Sequence, residues 1–215
     1  MRIVVFGAGG RAGRAITAEA IARGHRAVAV VRDPSRHTGI AGEVVTGDVL
    51  DAASVAALTA HADAAVNAVS PVSGPEELAA WKDFDGQVFA RAADALLAGG
   101  APRLVAVGLF ANLLGADGTP VHDDPAAFPP ELRHFALAHT AGLERMRAHE
   151  GGTDWLMLTP PALLDVDGPR TGAYRLGGEG LPASDRLSYA DLAVAVVDEI
   201  ESPRHHRTRV SVCEA

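Results

Sequence analysis

The sequence is poor in cysteine, lysine and long apolar runs, and each shortage excludes a class of protein. Cys213 is the single cysteine, so the chain can form neither an internal disulfide nor a cysteine-based zinc or iron–sulfur site. Lys82 is the single lysine and lies between Trp81 and Asp83, so the chain has no phosphate-binding loop of the Gly-Lys-Ser/Thr kind. No apolar run approaches the roughly 20 residues that cross a bilayer. The apolar start is interrupted at Gly7, which is atypical of a secretion signal. We therefore expect a cytoplasmic protein without a membrane partner.

The composition indicates one acidic globular domain. Hydrophobic residues make up 48% of the chain and aromatic residues 5%, so a core can be built from aliphatic side chains, which argues against disorder. The 27 acidic and 19 basic residues give a formal net charge of −8, which argues against a nucleic-acid partner because such proteins need a broad basic surface. The length of 215 residues fits a single domain over residues 1–215 with a modest substrate lobe.

Short β-branched runs alternate with longer Ala- and Leu-rich segments along the whole chain. Strands are predicted at residues 3–6, 27–31, 43–46, 64–69, 104–107, 154–158 and 208–212, and helices at residues 12–23, 52–61, 76–98, 132–149 and 192–201. Strands this continuous in Val, Ile and Ala are typical of a parallel sheet that helices cover on both faces. The alternation therefore predicts an α/β fold with a Rossmann-type, doubly wound, mainly parallel sheet.

Two segments rich in glycine and proline interrupt this alternation, near residues 109–131 and 160–190. Both follow predicted strands, at the sheet edge where doubly wound folds bind their ligands. We expect these two excursions to form the substrate pocket.

The clearest motif is a glycine-rich turn between the first predicted strand and the first predicted helix: Gly7-Ala8-Gly9-Gly10-Arg11-Ala12-Gly13. Glycines at such a turn let backbone N–H groups approach a diphosphate at the positive end of the helix. Two registers fit, Gly7-x-Gly9-x-x-Ala12 and Gly7-x-x-Gly10-x-x-Gly13. Glycine can also serve turn geometry alone, but the position in the first βα unit favours dinucleotide binding.

The residues after the second predicted strand bear on the choice of coenzyme. Arg32 follows that strand directly, and Arg36, Ser35 and, from the glycine turn, Arg11 could add donors. A guanidinium suits the 2′-phosphate of NADP(H), whereas an acid at this place binds the ribose hydroxyl of NAD(H). Asp33 therefore keeps NAD(H) possible, and the arginines favour NADP(H).

Small or polar residues follow three further predicted strands. Asp48 and Val49 are placed to meet the adenine edge, although Asp48 could equally be a turn acid. The small residues after the fourth and fifth strands would let the coenzyme cross the strand ends, with the nicotinamide at the fifth, or would relieve packing. They are Ala68, Val69, Ser70 and Gly108.

The usual proton-transfer residues are missing, so no catalytic residue is assigned. Short-chain dehydrogenases use Tyr-x-x-x-Lys, but Tyr174 and Tyr189 are followed four residues later by glycine and alanine. Phe135 and His139 occupy that spacing on the predicted helix. No Gly-x-Ser-x-Gly motif or histidine pair with metal-ligand spacing is present, so neither a serine hydrolase nor a metal site is expected. The histidines singled out for mutation are His122 and His134.

With these motifs the chain resembles the NADH-flavin reductase-like family of atypical short-chain dehydrogenases/reductases. Besides the glycine turn, the resemblance rests on Arg23-Gly24-His25, Val30-Val31-Arg32, Gly47-Asp48-Val49, Pro169-Arg170-Thr171-Gly172-Ala173-Tyr174 and Ser188-Tyr189-Ala190-Asp191-Leu192-Ala193. It implies a Rossmann fold, NAD(P)H binding and reduction of flavins or quinones, and this family also generally lacks the Tyr-Lys pair. The family's usual Gly-Ala-Thr-Gly turn is Gly-Ala-Gly-Gly here, because Gly9 replaces threonine.

The expected function is hydride transfer from NADPH to a small-molecule acceptor that resembles a flavin or quinone, with flavin as a substrate. Such an acceptor spreads the incoming charge over a polar ring system, so it needs a positioned proton donor less than a ketone does. Residues 160–163 and Tyr174 would line the acceptor site, or pack the lobe. One alternative is a non-catalytic NADP(H) sensor; another, an epimerase or carbonyl reductase, would need the missing Tyr-Lys pair. A monomer or a homodimer is expected.

Overall fold

The computed structural model describes residues 1–71 and 85–215, and strands and helices alternate through them. The strands are β1 (Arg2–Phe6), β2 (Arg26–Val31), β3 (Glu43–Thr46), β4 (Ala64–Asn67), β5 (Arg103–Val107), β6 (Asp154–Thr159), β7 (Leu163–Asp165), β8 (Tyr174–Leu176), β9 (Arg186–Ser188) and β10 (Thr208–Glu214). The helices are α1 (Arg11–Ala22), α2 (Ala52–Thr59), α3 (Val88–Ala98), α4 (Arg133–Arg147) and α5 (Tyr189–Glu201).

The central sheet has eight strands in the order β3-β2-β1-β4-β5-β6-β10-β8. All neighbours pair in parallel except β8, which runs antiparallel to β10. The chain leaves β1 toward β2 and β3, and then returns to place β4 on the other side of β1. This reversal of strand order opens a crevice at the carboxyl ends of β1 and β4. The predicted Rossmann-type fold is confirmed.

The sheet carries an apolar core on each face, as the continuous hydrophobic strands predict. On one face Ile3 and Val5 of β1 pack with buried residues of α1 and α5 such as Ile16 and Leu192. On the other face Val4 and Phe6 pack with α2, α3 and α4, around the fully buried Trp155. Because both faces of β1 are buried, the loop that follows it is held firmly at the centre of the crevice.

Two features differ from the sequence-based prediction. The helix predicted over residues 76–98 is wrong at residues 85–87, since α3 begins only at Val88. Asp85 accepts a hydrogen bond from the Gln87 N–H at 2.9 Å and forms a turn with Gly86, while the earlier part of that prediction lies outside the described residues. The second excursion also contains short strands, with β7 paired to β9 in a separate two-stranded sheet. In the described part of the chain, no helix has the length and apolarity to span a membrane.

Candidate functional site

The glycine turn links the end of β1 to the start of α1. Gly7 has a φ of +80°, which favours glycine, and a Cβ at this position would lie 2.5 Å from the backbone oxygen of Ala68. The Gly10 N–H donates to the Gly7 oxygen at 3.0 Å, and Gly10 is the extended N-cap of α1. No side chain of the described residues caps this helix. The N–H groups of its first turn are therefore available to an anion.

Gly13 allows α1 to lie directly on the turn. A Cβ at Gly13 would overlap the Gly7 oxygen and would lie 2.7 Å from the Cα of Ala8. Ala12 is partly buried and Gly13 is buried. The close approach of helix to strand is therefore made at Gly13, the last glycine of the register Gly7-x-x-Gly10-x-x-Gly13.

Three exposed arginines lie on this turn and on the segment after β2. Within residues 1–71 and 85–215, the side chains of Arg11, Arg32 and Arg36 make no hydrogen bond or ion pair. Asp33 accepts hydrogen bonds from the backbone N–H of Ser35 at 3.0 Å and from its hydroxyl at 2.6 Å, and these bonds lower the pKa of Asp33. The Ser35 hydroxyl is thus committed to Asp33, while the three guanidinium groups are available.

The loop after β3 is held by local hydrogen bonds. Asp48 accepts from the Leu50 N–H at 2.9 Å, and its own N–H donates to the Ser54 hydroxyl at 3.3 Å. Asp48 therefore acts as a turn acid here, one of the two roles that the sequence left open. The Val49 side chain is buried in the core layer that contains Trp155, so Val49 can contact a ligand only through its backbone.

The residues after β4 lie beside the glycine turn. Ala68 donates its N–H to the Phe6 oxygen at 3.0 Å, and the Val69 N–H donates to the Asn67 side chain at 3.2 Å. Ser70 is exposed at the same edge. The structure thus brings Ala68 and Val69 together with Gly7, as the strand order requires.

Gly108 follows the next strand, β5, and is buried against β6. Its N–H donates to the Leu158 oxygen at 2.8 Å, and a Cβ on it would overlap the hydroxyl of Thr159. A small residue is therefore needed at Gly108 for packing against β6. Gly108 lies at the same carboxyl edge of the sheet as the glycine turn.

The comparison with known proteins rests on nearly the whole chain. A family model described as NAD(P)H-binding matches residues 7–203. The chain belongs to this NAD(P)H-binding family. The match begins at Gly7, the first residue of the turn described above.

Relatives of this NAD(P)H-binding chain cover its full length. The Bacillus subtilis protein YwnB, which is uncharacterized, is 32% identical over 222 residues, covering 99% of this chain and 98% of YwnB. A solved structure from Streptococcus pneumoniae, named a putative NADH-flavin reductase, is 27% identical with a TM-score of 0.82 and covers 100% of both chains. A structure from Bacteroides thetaiotaomicron, named a putative epimerase, is 28% identical with a TM-score of 0.83, over 99% of this chain and 96% of that one.

Tyr174 and His139 of this NAD(P)H-binding chain are occupied by structural contacts. The Tyr174 hydroxyl donates to Asp198 at 2.6 Å, and burial together with this carboxylate raises the pKa of Tyr174 well above its usual range. The His139 ring stacks on Phe89 with centroids 3.6 Å apart, and burial lowers the pKa of His139 to about 3. Neither side chain is therefore a ready proton donor at pH 7. His122 is buried with its Nδ1 3.2 Å from Asp123, and His134 is exposed on α4.

In residues 1–71 and 85–215, no three His, Cys, Asp or Glu side chains are grouped as a metal ion would need.

The two C-terminal motifs named above attach the second excursion to the helices. Arg170 donates two hydrogen bonds to Glu19 of α1, at 2.7 and 2.8 Å, and these bonds lower the pKa of Glu19 to about 2. Asp191 of α5 accepts from the Thr171 hydroxyl at 2.6 Å and from the Gly172 N–H at 2.8 Å. These residues are structural ties, a role that the sequence pattern did not specify.

The two excursions contact each other. Leu114 donates its N–H to the Glu179 oxygen at 3.0 Å, and its oxygen accepts from the Leu181 N–H at 2.9 Å. A groove of about 330 Å³ runs along the second excursion and the chain end, and none of the residues predicted to bind coenzyme lines it.

One side chain at the turn escaped the sequence-based prediction. The ring of His37 lies against Gly9. The replacement of the family's threonine by Gly9 was the signal that could have pointed to it.

Proposed function

We propose that this chain is an NADPH-dependent oxidoreductase that passes hydride to a flavin- or quinone-like small molecule. The observation that carries the proposal is the uncapped start of α1 on a turn whose Gly7 and Gly13 have no room for a Cβ. The match to the NAD(P)H-binding family and the structural relative named a putative NADH-flavin reductase support it. The coenzyme supplies the hydride, and the chain binds and orients both partners.

The residues at the carboxyl edge fit a dinucleotide. Backbone N–H groups of the turn would hold the diphosphate. The space beside Gly10 is open to a ligand, because a Cβ at this residue would have only the Gly7 oxygen within 4 Å, at 3.4 Å. The Asp48 carboxylate, of which the Leu50 N–H uses only one oxygen, and the Val49 backbone would meet the adenine side. The remaining strand ends would carry the ribose and the nicotinamide, through Ala68, Val69, Ser70 and Gly108.

The preference for NADPH follows from available positive charge. Most arginines of the chain are committed to partners, Arg103 to Glu199 and Asp154 for example. Arg11, Arg32 and Arg36 have none among the described residues and are exposed at the turn. A 2′-phosphate would supply the missing anion.

Arg32→Ala is expected to weaken NADPH binding about tenfold and to leave NADH binding unchanged, since a hydrogen bond to a charged group contributes about 1.5–3 kcal/mol. Calorimetric titration with each coenzyme measures this. The matched control is Arg175→Ala, an exposed arginine of β8 at the far side of the sheet. An equal loss for both coenzymes, or no loss for NADPH, would remove Arg32 from the 2′-phosphate site.

A flavin- or quinone-like acceptor suits a site without a Tyr-Lys pair. The acceptor ring can delocalise the charge that arrives with the hydride, so the chain need only hold two flat rings at reacting distance. The two excursions, which contact each other at Leu114, would form the wall that orients the acceptor. A carbonyl reductase or epimerase would need a proton donor, and Tyr174 and His139 do not supply one.

A non-catalytic NADP(H) sensor is the second candidate, and the occupied Tyr174 and neutral His139 favour it. Turnover separates the two: NADPH mixed with the protein and FMN, FAD or a quinone should lose its nicotinamide absorbance at a protein-dependent rate. Tight coenzyme binding without consumption for any of the three acceptors would favour the sensor and overturn the reductase.

A further inference from the structure

His37 lies where a side chain at residue 9 of the turn would have to be. An ideal Cβ on Gly9 would lie 2.5 Å from Cε1, 2.6 Å from Nε2 and 2.9 Å from Nδ1 of His37. These distances are shorter than real Cβ contacts, so a side chain at residue 9 would require the imidazole to leave its present position. In the turn of the resembling family this residue is threonine, and here the imidazole of another segment takes up its space.

The backbone next to His37 is tied to the glycine turn by Arg14 of α1. Arg14 donates from Nε to the Gly9 oxygen at 3.0 Å and from Nη1 to the Thr38 oxygen at 2.8 Å. One guanidinium therefore bridges the turn and the residue after His37. The His37 N–H also donates to the Pro34 oxygen at 3.1 Å, which closes the short turn before it.

The ring of His37 is chemically available. It is partly buried, and its nitrogens make no hydrogen bond within residues 1–71 and 85–215. Its own segment carries Arg32, Arg36 and Asp33, and the Asp33 carboxylate is engaged by Ser35. From α1 and the turn, the charged groups are the guanidinium groups of Arg11 and Arg14. Arg14 is already engaged by the Gly9 and Thr38 oxygens, whereas the side chains of Arg11, Arg32 and Arg36 make no hydrogen bond among the described residues. The charge near His37 is therefore mainly positive, which suits a phosphate.

We propose that His37 is a phosphate-binding side chain of the coenzyme site and takes the place of the side chain that Gly9 lacks. The inference rests on the proposed function, that the turn holds NAD(P)H. An imidazole N–H at this position would donate to the 2′-phosphate of NADPH or to the diphosphate that both coenzymes share.

His37→Phe tests the ring nitrogens, because phenylalanine keeps the flat ring and loses both. Calorimetry should find NADPH binding about tenfold weaker than in the wild type. A loss confined to NADPH assigns His37 to the 2′-phosphate, and an equal loss for NADH assigns it to the diphosphate. His61→Phe, at an exposed histidine between α2 and β4, is the control that should change neither affinity.

Two results would overturn the inference while leaving the proposed function intact: wild-type affinity in His37→Phe, or tighter binding in His37→Ala, which would make the ring an obstruction. A wild type that binds neither coenzyme would instead refute the proposed function.

The exclusion between His37 and residue 9 has a test of its own. Gly9→Thr alone should weaken NADPH binding because the new side chain collides with the imidazole. The double variant Gly9→Thr/His37→Ala should bind NADPH more tightly than either single variant, because removal of the imidazole makes room for the threonine. If the losses of NADPH-binding free energy in the two single variants simply add in the double variant, His37 does not take the place of a side chain at residue 9.

Discussion

Gly13→Val is expected to abolish detectable coenzyme binding and to lower the free energy of unfolding by about 3 kcal/mol, the upper part of the range for overpacking a tight contact. The first added atom would overlap the Gly7 oxygen, and the next nearest atoms are the Gly7 carbonyl carbon and the Ala8 Cα, both at 2.7 Å. All of these belong to backbone, which cannot rotate away as a side chain can. α1 would have to move off β1, and the turn that it fixes would move with it.

Urea unfolding and calorimetry with NADPH measure the two losses of Gly13→Val. Gly152→Ala is the control, because Gly152 is exposed and a Cβ on it would meet nothing within 4 Å. That variant should keep wild-type stability and affinity. If Gly13→Val kept its NADPH affinity, the coenzyme would bind somewhere other than the turn.

Local rules in the sequence were enough to predict the architecture. The strand at residues 43–46 has the predicted bounds, and α1 begins one residue before its predicted start. Such elements are specified by hydrophobic runs and by the glycines that end them, which are visible in a short window. The approach of Ala68 and Val69 to Gly7 then follows from strand order alone.

Contacts between distant segments could not be read in this way. The predicted helix over residues 76–98 ignored that Asp85 can form a turn with its own backbone at Gly86, which competes with helix. The pairing of β7 with β9 joins Leu163 to Arg186 through three-residue strands, too short for a periodic signal. The packing of His37 on Gly9 depends on the path of a loop.

In the candidate site, too, local sequence predicted part of the arrangement and contacts in the folded chain decided the rest. The glycines and arginines were identified by type and position, but hydrogen-bond partners decide which side chains remain available. Ser35 and Asp48 were candidates for ligand contact, and both are engaged with neighbouring residues. Sequence alone cannot rank a ligand against a local partner, because the hydrogen bonds differ little in energy.

Glu199→Ala is expected to cost about 3–5 kcal/mol of unfolding free energy, the range for removing one partner of a buried ion pair. Glu199 of α5 is 2% exposed and Arg103 of β5 is 5% exposed. The Arg103 Nη2 donates to Glu199 Oε2 at 3.1 Å, and the same oxygen accepts the N–H groups of Arg204 and His205 at 3.1 and 3.3 Å. The carboxylate thus neutralises a buried guanidinium and also holds the turn that leads into β10.

Arg103 would keep its bond to Asp154, at 2.7 Å, but Asp154 is more exposed and already accepts from His206. The loss of Glu199 would therefore leave a buried charge incompletely compensated. Arg103 begins β5, at the edge of the sheet opposite the glycine turn. The folded fraction of Glu199→Ala should accordingly bind NADPH as the wild type does.

Glu201→Ala supplies the comparison, because Glu201 is two residues away on α5 and also pairs with an arginine, Arg23, and with His25, but is itself exposed. A surface pair contributes about 0–1 kcal/mol, so this variant should unfold close to the wild type in urea. Both variants remove a carboxylate from the same helix, so the difference between them measures what the buried contacts of Glu199, to Arg103 and to the turn before β10, add over pairs at the surface. Equal losses would mean that water reaches Arg103 once Glu199 is gone, and that the buried pair stabilises the fold no more than the exposed one.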